Sequence, residues 1–376
     1  MAVPEKSPGQ PSLTFAERLD LIPAIASILG AALYAAITGP FRGSWGAHTY
    51  RHHITHALLR KVHSPQPNLQ PASKSSSSWL TLGSALQYLT APFHAIYEKW
   101  CQKAGTDPEY VVFPSGCRAF WVGHKTATNI IVYFHGGGFS LDGTPGHLHF
   151  WSSVQTDLTS AGQSTAVLFV EYTLVPYATY PIQIREGIEA VQYVLTDLRR
   201  APSSITLSGD SAGANLCLAI LSHVMHPNPD LPTMHLTQPF KALILVAPWV
   251  TFEIEQPSSE RNAHKDIFKP AMGVQWGADY LAGRATSAYA EALLAPAAWW
   301  RDAMVEGVLT VAGAEEILVD PISLWAEKFQ SVNPGVLTYV VAKNEGHVAP
   351  FIEWELGDTA ETVQGEAIRS WMKWRF

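Results

Sequence analysis

Ile205-Thr206-Leu207-Ser208-Gly209-Asp210-Ser211-Ala212-Gly213-Ala214-Asn215-Leu216 is the stretch on which the fold turns. A short β-like run, Ile205 to Leu207, meets Gly-x-Ser-x-Gly, and a helical pattern then runs from Ala214 to Met225. A strand that turns this sharply into a helix leaves the serine oxygen exposed at the top of a sheet, the arrangement called a nucleophile elbow. The serine backbone is strained there, and a side chain two residues to either side would strike the neighbouring chain, so both outer positions call for glycine. The helix that follows sets its positive amino end beneath Ser211.

Upstream, His135-Gly136-Gly137-Gly138-Phe139 follows the apolar run Asn129 to Phe134. Acyl transfer puts negative charge on a carbonyl oxygen, and backbone N–H groups already in place meet that charge best. A glycine run lets the chain approach a substrate closely, so Gly137 and Gly138 are expected to supply two donors and Ala212 a third. In this order the two motifs imply a serine hydrolase.

With HGGG and GDSAG in sequence, the chain resembles the hormone-sensitive lipase group of α/β-hydrolases. Glu171-Tyr172-Thr173-Leu174-Val175-Pro176 sits where that group has an Asp-Tyr-Arg-Leu-Ala-Pro-Glu-like segment. Thr173 replaces the usual arginine and Tyr177 the usual glutamate, so the ion pair expected by analogy is missing. The resemblance covers Tyr110 to the C-terminus, and residues 1 to about 108 match only as a cap.

A serine hydroxyl needs a base and the base an orienting acid, in the order Ser, acid, His for this group. His347, among fifteen histidines, follows the apolar strand Leu337 to Ala342 in a loop near the C-terminus, where the resemblance places the catalytic base. The group's Asp-Pro-Leu-x-Asp pattern, aligned on Leu318 and Asp320, puts Glu316 at the acid position, with Asp320 and Glu315 as alternatives. Asp210 is expected to support the elbow rather than titrate in catalysis.

Apolar runs at Tyr110 to Phe113, Ala119 to Val122, Ile130 to Phe134, Ala166 to Tyr172, Ile205 to Leu207, Ala242 to Val250, Val308 to Ala312 and Leu337 to Ala342 predict strands. Helical patterns between the later ones, such as Gln183 to Leu198, imply a mostly parallel eight-stranded sheet flanked by helices, an α/β-hydrolase core with a helical cap. A last amphipathic stretch, Thr359 to Trp374, closes it. The expected division is a cap region over 1–108, core over 109–250, a cap insertion over 251–302 and core again over 303–376. Met272, Trp276, Tyr280, Tyr289, Trp299 and Trp300 make the insertion aromatic, which suits an apolar substrate. The one low-complexity segment is Ser73 to Ser78.

Hydrophobic residues make up 47% of the 376, enough for a large core, and a net charge of −7 without a basic run speaks against nucleic acid. Cys101, Cys117 and Cys217 are too few for a disulfide framework and suggest inert thiols in a reducing compartment. The mechanism needs no cofactor and no metal. Leu21 to Thr38 is an uncharged stretch of eighteen residues at the lower limit for spanning a bilayer, so a membrane anchor and a buried or membrane-touching cap helix both stay open. The chain is accordingly expected inside the cell, cytoplasmic or membrane-associated. The stretch also resembles N-terminal caps of fungal hydrolases in the same group, many of which act on secondary metabolites. The leading expectation is a carboxylic ester hydrolase, deacetylation and lactone opening included, that works through an acyl-enzyme on Ser211 with a medium or bulky apolar small-molecule substrate; no residue in the motifs selects ester over amide. The alternatives are non-hydrolytic use of the same triad, in acyl transfer or in condensation or cyclisation of a polyketide-derived intermediate, and a ligand receptor without catalysis.

Overall fold

The eight apolar runs form one sheet in the computed structural model, which describes residues 15–62 and 90–376. Ser73 to Ser78 lie outside the described residues. The strands are β1 (Tyr110–Val112), β2 (Arg118–Val122), β3 (Asn129–Phe134), β4 (Thr165–Glu171), β5 (Ile205–Asp210), β6 (Ala242–Val246), β7 (Val308–Gly313) and β8 (Leu337–Ala342). Their order is β1-β2-β4-β3-β5-β6-β7-β8. The β1–β2 and β2–β4 pairs are antiparallel, and every pair from β4–β3 onward is parallel.

Strands β2 to β7 are buried along their whole length, which demands a helical layer on each face of the sheet. In chain order the helices are α1 (Phe15–Thr38), α2 (Tyr50–Val62), α3 (Phe93–Ala104), α4 (Pro145–Ser160), α5 (Ile182–Gln192), α6 (Ala212–Met225), α7 (Pro257–Arg261), α8 (Pro270–Leu281), α9 (Val319–Val332), α10 (Ala349–Glu355) and α11 (Val363–Arg375). Helix α4 packs with α10 and α11, α5 packs with α6, and α9 and α11 both cover β7 and β8. The Gln183 to Leu198 pattern is regular only through α5 and ends in a wider π-type turn over Tyr193–Asp197. Strand β6 stops short of the expected Val250, because Ala247 takes φ +47° and turns the chain so that the Trp249 N–H reaches the Ser211 carbonyl at 3.1 Å.

The apolar 21–38 stretch lies within α1, which packs on α2 while Leu29, Leu33 and Ile37 remain exposed. Among the described residues no helix is long and apolar enough to cross a membrane.

Helix α2 ties the start of the chain to its end. The His52 and His56 rings stack 5.5 Å apart, and their Nε2 atoms lie 2.9 and 3.2 Å from the two carboxylate oxygens of Glu353 in α10. Burial alone would raise Glu353, but the two imidazoles hold it down to about 2. Glu353 in turn lifts His52 above the ordinary imidazole value, against the pull of burial. The carboxylate's contribution to stability is therefore present above its unfolded pKa of 4.5 and lost as pH falls toward 2. That of His52 is present below its unfolded value of 6.5 and lost as pH rises through its raised one. Glu353→Gln is expected to cost about 1.5–3 kcal/mol at pH 6 in urea unfolding, and clearly less at pH 8.5. An equal loss at both pH values would remove the charge from this account.

Candidate active site

The chain leaves β3, pairs β4 on one side of it, and crosses to pair β5 on the other. A crevice opens outside the carboxyl ends of a parallel sheet where connections diverge in this way. The glycine loop follows β3 at that point and Ser211 follows β5. The loops after β7 and β8 carry Glu316 and His347.

Ser211 stands at φ +49° and ψ −114°, a strained backbone held by its N–H donating to Val246 O at 2.8 Å. A Cβ on Gly209 would lie 2.4 Å from the Gly213 carbonyl, and one on Gly213 would lie 1.9 Å from Phe134 O. The elbow closes only because both positions lack a side chain. Ala212 is the first residue of α6, so its N–H has no carbonyl four residues back to donate to.

Gly137 and Gly138 take φ +101° and +60°, and the Gly137 carbonyl accepts from Ser140 and Leu141 N–H at 3.0 and 2.9 Å, curling the loop. Asp210 ties this loop to the elbow, as one carboxylate oxygen accepts from Gly136 N–H at 2.8 Å and from the Tyr133 hydroxyl at 2.5 Å. Its other oxygen faces His147 Nε2 at 3.3 Å. Thr144 N–H donates to His147 Nδ1 at 3.0 Å, which puts the ring proton on Nε2, toward Asp210. Burial would raise the Asp210 carboxyl, but His147 and the Tyr133 hydroxyl hold it below the ordinary value. His147 carried no signal in the sequence reading, because sixty-three residues separate it from Asp210.

Of the three carboxylates weighed from sequence, Glu316 is the one that meets His347, at 3.3 Å from Oε2 to Nδ1. Asp320 instead accepts from Ser258 N–H at 2.8 Å and pairs with Arg261 at 2.9 Å. Glu315 accepts from His48 N–H at 3.0 Å. Both members of the Glu316–His347 pair are buried. Burial pushes Glu316 up to about 7, even though the bond to His347 pulls it back. Burial draws His347 down, but the bond and charge of Glu316, aided by Asp266 and Asp210, leave it above the ordinary imidazole value. Asp266 is a second buried carboxylate that the sequence did not signal, and it accepts from Ile317 and Ile267 N–H at 2.6 and 2.7 Å.

Thr173 departs from the expected pattern without leaving a gap. Its N–H and hydroxyl both donate to Glu186, each at 2.6 Å. Cys101, Cys117 and Cys217 are buried and joined by no disulfide, and among the described residues no cluster of three or more His, Cys, Asp and Glu could hold a metal.

Ser211, His347 and the three glycines of the loop line one cavity of about 740 Å³. Trp249, Phe268 and Trp276, which follow β6 in the chain, and Leu59, Ile96 and Trp100 from α2 and α3 give it broad apolar walls, while Lys99, Lys103, Asp142, His149 and Glu355 add charged and polar groups to the lining.

A family model described as the α/β-hydrolase fold matches residues 131–350. An acetyl-hydrolase of Streptomyces hygroscopicus is 29% identical over 181 residues, 48% of this chain and 56% of that protein. The chain thus spans about half the length of that relative. Among solved structures, a thermostable esterase from Pseudomonas putida aligns with a TM-score of 0.64 at 15% identity, covering 88% of this chain and 98% of the other. An esterase from the bacterial hormone-sensitive lipase family aligns at 0.59 and 19%, covering 86% and 99%, and these two likenesses are of fold.

Proposed function

We propose that this chain, which belongs to the α/β-hydrolase family, is a serine hydrolase of carboxylic esters in the hormone-sensitive lipase group. One observation carries the reading: His347, bonded to the buried Glu316, and a serine on a strained turn open into the same largely apolar cavity as a glycine loop. His347 takes the proton of Ser211, whose oxygen attacks the acyl carbon. The N–H groups of Gly137, Gly138 and Ala212 hold the resulting oxyanion. His347 then returns the proton to the leaving alcohol, and water, activated by the same imidazole, clears the acyl-enzyme. Glu316 keeps the imidazole oriented and stabilises its charged form. The apolar walls favour an ester or lactone with an apolar body, such as a secondary metabolite, and residues 21–38 would offer a contact with a membrane.

The base works only when neutral, so activity is lost as pH falls through the raised His347 value. The acid limb of kcat/KM is expected at an apparent pKa above 6.5. Glu316→Gln removes a raising influence, so the limb should move to lower pH while kcat falls. A limb that stays in place would separate Glu316 from the base.

Intact-mass analysis after exposure to a fluorophosphonate, with p-nitrophenyl acetate and butyrate turnover on wild type and Ser211→Ala, tests the assignment. A single adduct and turnover that both vanish in the variant are expected. An adduct without ester turnover would favour non-hydrolytic use of the triad, and no adduct would favour a receptor.

A further inference from the structure

Helix α8 is pressed down onto the site. A Cβ on Gly273 would lie 2.3 Å from the Ile254 side chain, and one on Gly277 would lie 2.7 Å from that of Phe252, so this face of α8 fits flat against residues 252–254. The approach delivers Trp276 onto the oxyanion loop, where a Cβ on Gly138 would lie 2.2 Å from the indole ring. Phe268 continues the wall, its ring 5.0 Å from the His347 imidazole at 68° and 6.4 Å from Trp276. Two aromatic rings thus bridge the base and the oxyanion glycine.

The two sides of the scissile bond are unequal in this setting. The leaving alcohol must lie beside His347, which protonates it, and the carbonyl oxygen on the N–H groups of the glycine loop, so the acyl substituent takes the one direction left at the tetrahedral carbon; Trp276, packed on Gly138, closes space beside that carbon. The cavity's volume of about 740 Å³ lies in the range that encloses a drug-sized ligand, and away from Trp276 it has an apolar wall of Leu59, Val62, Ile96 and Trp100, with Lys99, Lys103 and Glu355 also in the lining. We propose that Trp276 caps the acyl side, making the preferred substrates acetyl-sized esters of a bulky apolar alcohol. This rests on the ester-hydrolase reading above and narrows it. Trp276 here sets specificity and takes no part in proton transfer.

The test is kcat/KM for p-nitrophenyl acetate, butyrate and octanoate, and for 2-naphthyl acetate, in wild type, Trp276→Ala and Trp276→Phe. Fluorophosphonate labelling of Ser211 is followed in each. Each methylene that a pocket accepts or rejects is worth about tenfold or more. Wild type should favour acetate over octanoate by at least about tenfold and accept the naphthyl ester readily. Trp276→Ala should shift the octanoate-to-acetate ratio upward by at least about tenfold, and Trp276→Phe should shift it less in the same direction, with labelling retained. A wild type that prefers octanoate overturns the proposal. So does a ratio unmoved in both variants while labelling stays normal. Should wild type neither label nor turn over any ester, the hydrolase reading itself fails and takes this one with it; the labelling distinguishes the two failures.

Discussion

Ser211→Ala is expected to lower kcat by about a million-fold while leaving the thermal midpoint where it is. The serine contributes its oxygen to the cavity and little to packing, and alanine tolerates φ +49° no worse than serine does. His347→Ala should cost about as much, and the double variant little more, because a nucleophile without its base is already inactive. Glu316→Ala should lose about ten-thousand-fold, as acids in such units do. Asp320→Ala should leave the chemistry untouched, since that carboxylate binds Ser258 and Arg261 instead. A near-normal Glu316→Ala beside a dead Asp320→Ala would reverse the assignment of the acid.

Gly138→Ala should cut kcat by about a hundredfold to a thousandfold, the usual cost of one misplaced oxyanion donor. Gly138 has φ +60°, and the added methyl would collide with the Trp276 indole, so the loop must move. Gly137→Ala is expected to be as severe for a different reason, since its Cβ would lie 2.7 Å from a backbone oxygen, Leu141 O, at φ +101°. The two should separate on a second substitution. Gly138→Ala combined with Trp276→Ala should recover part of the lost rate, because the obstacle is a side chain that has been removed. No side-chain change should rescue Gly137→Ala, and equal behaviour of the two would show that collision is not the cause.

The strands were readable because each is an apolar run, and the elbow because its two glycines answer a local steric need. Glu316 was reached by alignment to a family pattern rather than by physics, as nothing local separates it from Glu315 or Asp320. The choice among them depends on which one the β7 loop aims at a histidine thirty-one residues later. Separation in sequence also hid Asp266, the His147–Asp210 contact and the Trp276–Gly138 contact. Single glycines in α8 look like weak points of a helix, and their purpose is visible only against Ile254 and Phe252. The extent of β6 was overestimated because Ala247 and Pro248 continue an apolar run whose backbone has already turned.

The cavity walls from α2 and α3 lie outside residues 131–350, the stretch shared with the family, whereas Ser211, Glu316, His347 and the glycine loop lie inside it. Part of what would select a substrate is thus written on a separate length of the chain, while Trp276, the acyl cap proposed above, shares the inner stretch with the reactive groups. On the proposed reading, substitutions at Leu59, Val62, Ile96 or Trp100 are expected to change KM among esters while leaving fluorophosphonate labelling of Ser211 in place. A relative that shares the inner stretch foretells the reaction far better than it foretells the substrate.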